Sequence, residues 1–294
     1  MAARVRVAVC TNRPAAAVAE CLAALRGQVP EGELALVTSA LAGAELDAHR
    51  RAFAGPVLVE PEPGLSRARN RALDWAGDDD AVLAFVDDDA VADGGWYAAL
   101  ARRWDDAPPS VACIGGPIRP RFATPPPPWF SDGIAHVLTL LDRGPEARDL
   151  DPGRGEAVYG ANISFRAGPL RRAGGFDPAL GHAGDRVHFG EEDAAQRALA
   201  KLGFGTRYVP DAAVEHVIPA DRLTRRSFLS RRFAYGRVLG ARGARAPGPA
   251  ARRTLTTAAG ALATGDPKVR MVRAVRAAEN LGVVYASIRP RRIA

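Results

Sequence analysis

Residues 81–89, an apolar run from Ala81 to Val86 followed at once by Asp87, Asp88 and Asp89, constrain this chain more than any other segment. Six uninterrupted apolar residues are too few for an ordinary helix. They read as a strand buried on both faces, which is the pattern of a parallel sheet covered by helices. In such sheets ligands collect at the carboxyl ends of the strands. Carboxylates stacked there repel one another, by roughly 4 kcal/mol at 4 Å and an effective dielectric of about 20, unless a cation lies among them. Mg²⁺ and Mn²⁺ take oxygen from one or two carboxylates and complete their shells with phosphate and water. The segment therefore predicts a divalent metal shared with a diphosphate. A second acidic triplet, Asp78-Asp79-Asp80, follows Gly77 and precedes the strand, so it reads as solvated turn.

The flanking segments supply the rest of such a sheet. Residues 4–10 alternate as a strand, Thr11-Asn12-Arg13-Pro14 breaks it, and Val18, Cys21, Leu22 and Leu25 recur at helical spacing before Gly27. Strands are expected at 34–37, 56–60, 111–114, 158–165 and 206–209, with helices at 66–75, 94–104 and 192–202 and from about Thr224 onward. Strands alternating with helices give an α/β fold with a mostly parallel central sheet. Proline-rich residues 124–130 and Gly- and Pro-rich residues 142–156 read as loops. Residues 241–267 read as a linker or weak helix, and 269–276 open a final amphipathic helix.

Length and composition, with 294 residues, 47% apolar and 25% charged, are those of an enzyme-sized globular chain. The odd and scattered Cys10, Cys21 and Cys113 predict neither a disulfide nor a zinc site. The absence of a signal-like core near Met1, and of any run near the roughly 18 apolar residues of a membrane span, predicts a cytoplasmic protein. Charge is unevenly placed: residues 222–294 carry sixteen arginines and Lys268 against Asp266 and Glu279, a net of +15, whereas the whole chain is +7 and the remainder therefore −8. Such a tail suits an anionic membrane surface at the inner face of the plasma membrane, contact with an acidic acceptor, or a plain solvated face; no nucleic-acid partner is expected.

Six segments in order carry a resemblance: Val7-Ala8-Val9-Cys10-Thr11-Asn12-Arg13, Gly64-Leu65-Ser66-Arg67-Ala68-Arg69-Asn70, Phe85-Val86-Asp87-Asp88-Asp89, Gly160-Ala161-Asn162, Gly174-Gly175-Phe176-Asp177, and Gly190-Glu191-Glu192-Asp193 followed by Arg197. Over residues 4–240 the chain resembles the inverting family-2 glycosyltransferases of the GT-A fold. The resemblance implies a GT-A domain over 1–221, with a nucleotide-sugar half at 1–118 and an acceptor half at 119–221, and a basic helical extension at 222–294. It implies donor contacts from Thr11, Asn12, Arg13, Arg69, Asn70, Asp87 and Asp88. The family's Asp-x-Asp motif maps onto Asp87 and Asp89, with His216 as a third metal contact. Acceptor contacts are implied for Trp129 and Asn162.

The partners so implied are a nucleoside-diphosphate sugar and a glycan or lipid-linked acceptor. An inverting transfer needs a base for the acceptor hydroxyl, and the acids opening a helix at Glu191, Glu192 and Asp193 supply candidates. Counting from Gly190 favours Glu192, while acid type favours Asp193. Two departures stand out. Val37-Thr38-Ser39-Ala40 lacks the base-binding Asp of many relatives, and Ala194-Ala195 replaces an acid after the motif. A nucleotidyltransferase would use similar aspartates but add a Gly- and Lys-rich phosphate loop, which Thr11-Asn12-Arg13-Pro14 is not. An inactive binding protein of this fold at a membrane surface would have no need of the intact acids.

Overall fold

The structure is a computed structural model and describes residues 4–181 and 190–289. These form two compact units, one from residues up to 120, 141–181 and 191–217, the other from 121–140 and 218–289. The division thus falls at 120 and 217, and the proline-rich segment belongs with the C-terminal helices.

The first unit begins β1 (Val5–Thr11), α1 (Ala19–Arg26), β2 (Leu34–Ser39), α2 (Gly43–Ala52), β3 (Val57–Glu60), α3 (Leu65–Ala76) and β4 (Val82–Val86). It continues through β5 (Ala90–Ala92), α4 (Trp96–Asp105), β6 (Val111–Gly115), β7 (Ile118–Phe122), β8 (Arg148–Leu150), β9 (Asn162–Arg166), α5 (Ala167–Arg172), α6 (Glu191–Lys201), β10 (Gly205–Tyr208) and β11 (Val214–Ile218). The main sheet has eight strands in the order β3-β2-β1-β4-β9-β6-β10-β8. β9 runs antiparallel to both its neighbours and β8 antiparallel to β10, while β3, β2, β1 and β4 are mutually parallel. The mostly parallel sheet expected from sequence is present. β5, β11 and β7 form a second, three-stranded sheet.

Local sequence accounts for the central elements. β2, β4 and β6 are buried at every position and contain no charge, as strands covered on both faces must be. α3 buries Ala68, Ala72, Leu73 and Ala76, one face at helical spacing, and Gly77 at φ +72° stops it. β1 is the turning point of the sheet. The chain first lays β2 and β3 on one side of it and then returns to place β4 on the other. Parallel pairing of Val5 with Val82 and Ala8 with Phe85 brings the carboxyl ends of β1 and β4 side by side at this switch point.

The second unit contains α7 (Arg225–Ala241), α8 (Pro247–Ala263) and α9 (Pro267–Ile288). A Cβ at Gly236 would collide with the Glu279 carbonyl, and one at Gly282 with the Phe233 carbonyl, so α7 and α9 cross at backbone contact. Buried Glu279 accepts from both Arg232 and Arg245. Trp129 packs edge-on against Phe228 at 5.1 Å, and Phe130 against Phe122 at 5.5 Å. Residues 241–267, expected to be linker or weak helix, include the full helix α8. Its alanines are strong helix formers, which outweighs Gly, Pro and Thr once a neighbouring helix is there to pack against.

Candidate active site

Thr11, Arg13 and the three aspartates meet because β1 and β4 are adjacent and parallel. The Thr11 hydroxyl donates to Asp88 Oδ2 at 2.5 Å and accepts from the Arg13 amide at 3.0 Å. The Arg13 guanidinium reaches both Asp88 and Asp89, at 3.5 and 3.8 Å, and remains partly exposed. Asn12 is exposed at the same strand end. Buried His49 donates from Nε2 to the Arg13 carbonyl at 2.9 Å and so fixes this turn. The Cys21 thiol donates to the Asp87 carbonyl at 3.4 Å.

His216 arrives from the small sheet. β11 pairs antiparallel with β5, with His216 opposite Ala90, and the Val217 amide donates to the Asp89 carbonyl. The buried imidazole Nε2 lies 3.1 Å from Asp89 Oδ1. Among the described residues no three His, Cys, Asp or Glu side chains close around one point. The Asp89–His216 pair offers two donors, and adjacent ligands of an octahedral ion at about 2.1 Å are themselves about 3 Å apart. The two fit a divalent ion that draws its remaining ligands from phosphate and water.

Arg69 is the largest buried charge of this unit, at 1% exposure. Its terminal nitrogens reach Glu191 Oε1 at 2.8 Å, Asp87 Oδ1 at 3.5 Å and the Gly160 carbonyl at 3.3 Å. Phe85 and Phe176 flank the guanidinium with ring centroids 5.4 and 5.6 Å away. Its Nε is buried without a partner. A side chain at Gly160 would collide with this guanidinium, which is why that position is glycine. One cation thus ties the aspartate-bearing end of β4 to the first turn of α6. This differs from the sequence expectation, because Arg69 is enclosed and spends its donors on protein oxygens.

The three acids opening α6 are divided by their partners. Glu191 is buried and paired with Arg69, and Asp193 pairs with Arg197 one turn on at 2.6 Å. Glu192 makes no ion pair among the described residues, and the residue as a whole is half-buried. Burial, reinforced by the Glu191 charge and opposed by Arg69, pushes Glu192 up to about 8. Burial also pushes Asp87 up to about 6, with Arg69 and His216 pulling down and Asp89 adding to the rise. Asp88 is raised by burial against the hydrogen bond from Thr11.

Two asparagines expected at ligands are committed to the fold. The Asn70 amide donates to the Phe176 carbonyl and accepts from the Phe176 amide, both at 2.8 Å, clamping the turn after Gly175. Asn162, 2% exposed, donates to Pro117 and Ala212 carbonyls and accepts from the Trp96 indole. Every polar atom it has is used, so it has no donor for an acceptor sugar. Trp129, also expected at the acceptor, is buried against Phe228 within the second unit. Sequence reading missed His49 and Gln196. Gln196 is buried and bonds the Val158 amide and carbonyl and the Glu192 carbonyl, anchoring the first turn of α6. The sequence signal for Gln196 was its place beside Ala195 and Leu199 on the buried face of α6.

Residues 7–129 match the family model described as Glycosyl transferase family 2. The chain is 29% identical over 154 residues to the glucosyl-dolichyl phosphate glucuronosyltransferase of Haloferax volcanii, which covers 52% of this chain and 47% of that one. It is 28% identical over 182 residues to the succinoglycan biosynthesis protein ExoM of Rhizobium meliloti, with 61% and 53% covered. The chain therefore spans about half the length of the curated relatives it matches. Among solved structures, a Pyrobaculum calidifontis mannosyltransferase in complex with GDP-mannose and Mn²⁺ superposes with a TM-score of 0.57 at 20% identity, covering 98% of this chain and 74% of that one. GalNAc-T7 with UDP, GalNAc and Mn²⁺ superposes at 0.55 and 16% identity, covering 81% and 48%. The fold is the GT-A type shared by these structures, and residues 7–129, which carry the strands and motifs around the switch point, match glycosyltransferase family 2.

Proposed function

We propose that this chain is an inverting glycosyltransferase that moves a sugar from a nucleoside-diphosphate donor to a hydroxyl of a glycan or lipid-linked acceptor. The observation that carries the reading is the division of acids at the switch point. Asp89 stands beside His216 at 3.1 Å, Glu191 is consumed by Arg69, and Glu192, half-buried, has no ion pair among the described residues. Asp89 and His216 would hold Mg²⁺ or Mn²⁺, whose charge, when bound, offsets that of the departing diphosphate. Asp87 belongs to the same motif and is held against Arg69.

Arg13 presents a partly exposed guanidinium beside Asp88 and Asp89, which suits the donor phosphates. Thr11 and Asp88 fix the nucleotide-facing turn through their 2.5 Å hydrogen bond. Glu192 takes the acceptor hydroxyl proton as that oxygen bonds to the anomeric carbon and the bond from that carbon to the diphosphate breaks. A carboxylate raised to about 8 is poised for proton transfer near neutral pH. The relatives' names, one a glucosyl-dolichyl phosphate glucuronosyltransferase and the other a succinoglycan biosynthesis protein, support the lipid-linked or glycan class.

A panel of nucleoside-diphosphate sugars assayed for turnover with and without Mn²⁺, with NMR assignment of the product anomer, tests this. Inverted product from one donor, dependent on the cation, is expected. Retained configuration would remove Glu192 from its role.

A further inference from the structure

The helix α8 presents its leucines to the outside. Leu255 is 73% exposed and Leu262 86%, although they are the largest apolar side chains of that helix. The positions it buries are Ala250 and Ala261. The leucines are seven positions apart, so they share one face, and Ala258 and Ala259 fall between them on the same stripe, with Ala251 one turn before Leu255. The opposite side meets α9, where Arg273 donates to the Gly260 carbonyl. A helix that has only water to face would bury its leucines and expose its alanines. This one does the reverse.

Charge identifies the occupant. α8 contains no acid, and between residues 247 and 276 Arg252, Arg253, Lys268, Arg270, Arg273 and Arg276 stand against Asp266 alone. A second copy of this helix would bring like charges together, whereas an anionic surface would be attracted by all of them. Among the described residues no helix is long and apolar enough to cross a membrane. An outward apolar stripe on a basic helix is the pattern of a helix lying in the headgroup plane. We propose that α8 docks the chain on an anionic lipid bilayer, with Leu255 and Leu262 entering the acyl boundary and the flanking basic residues meeting headgroup phosphates. The inference goes beyond the catalytic reading and does not depend on it.

Co-sedimentation of the full chain with vesicles tests it, using phosphatidylcholine alone and phosphatidylcholine with about one third phosphatidylglycerol. The chain is expected to bind the anionic vesicles and to bind them more weakly at high salt. The double variant Leu255→Ser/Leu262→Ser is expected to lose affinity about tenfold or more, since each leucine gives up its apolar transfer. Both side chains are exposed, so circular dichroism and nucleotide binding should not change. Leu202→Ser, another exposed leucine at 50% in the first unit, is the control and should bind like the parent. Trp fluorescence of Leu255→Trp should shift to the blue on anionic vesicles.

Equal binding by the double variant would overturn the proposal, as would absence of binding to anionic vesicles at low salt or equal binding to phosphatidylcholine alone. So would a dimer in the parent chain that the double variant dissolves, because the stripe would then belong to a second copy. Loss of nucleotide binding in every protein, with vesicle binding intact, would instead count against the glycosyltransferase reading only.

Discussion

Arg69 answers two carboxylates at once, and its replacement separates charge from geometry. Arg69→Met would leave buried Glu191 and Asp87 without their cation, and such a loss costs about 3–5 kcal/mol. Urea denaturation should register it as a lowered midpoint. Arg69→Lys keeps the charge but loses the fork that reaches Glu191, Asp87 and the Gly160 carbonyl together, so a smaller loss is expected. Glu192→Gln should lower kcat by about 10²–10⁴-fold and leave donor binding unchanged. The sign of the pH profile follows from the base being active when deprotonated. Because Glu192 is raised to about 8, kcat/KM should climb as pH rises through that value, and the limb should vanish in Glu192→Gln. At this scale the sequence revealed residue types better than their tasks. Asn70 and Asn162 have the chemistry of ligand contacts, yet only coordinates reveal that backbone groups of Phe176, Pro117 and Ala212 already occupy them.

Elements differ in how plainly the sequence announces them. β1 to β4 and α3 follow from apolar runs and helical spacing, and the aspartates at the end of β4 follow from the strand itself. β5 and β8 have three residues each, too few for any periodicity, and β11 is half-buried in alternation that a five-residue segment barely displays. The partner of Asp89 was therefore legible as a residue, His216, while the pairing of β11 with β5 that delivers it was not. The crossing of α7 and α9 was hidden too, because glycine in a helix signals weakness unless a facing backbone gives it a reason. Gly236→Ala should push the two helices apart and cost at least about 1–3 kcal/mol, seen as a lower Tm.

For the molecule as a whole, the chain's acids and bases are segregated along the sequence. The acidic first unit places its raised carboxylates after β4 and in the first turn of α6, and the basic residues gather in the helices of the second. Glu192 and Asp87 hold protons in the folded state at pH values where the unfolded chain has released them. Their contribution to stability is thus complete below the ordinary carboxylate range and is lost as pH rises through about 6 for Asp87 and about 8 for Glu192. Thermal melts of the ligand-free protein across that window should decline from this source, and saturating Mn²⁺ with nucleoside diphosphate should raise Tm at neutral pH.

Calorimetric titration of UDP and GDP into the parent chain and into Asp89→Ala and His216→Ala, with and without Mn²⁺, goes to the centre of this mechanism. Binding of one nucleotide that strengthens with Mn²⁺ in the parent and weakens by about 100-fold or more in Asp89→Ala is the expected result. Equal nucleotide affinity in all three proteins, indifferent to the cation, would contradict it.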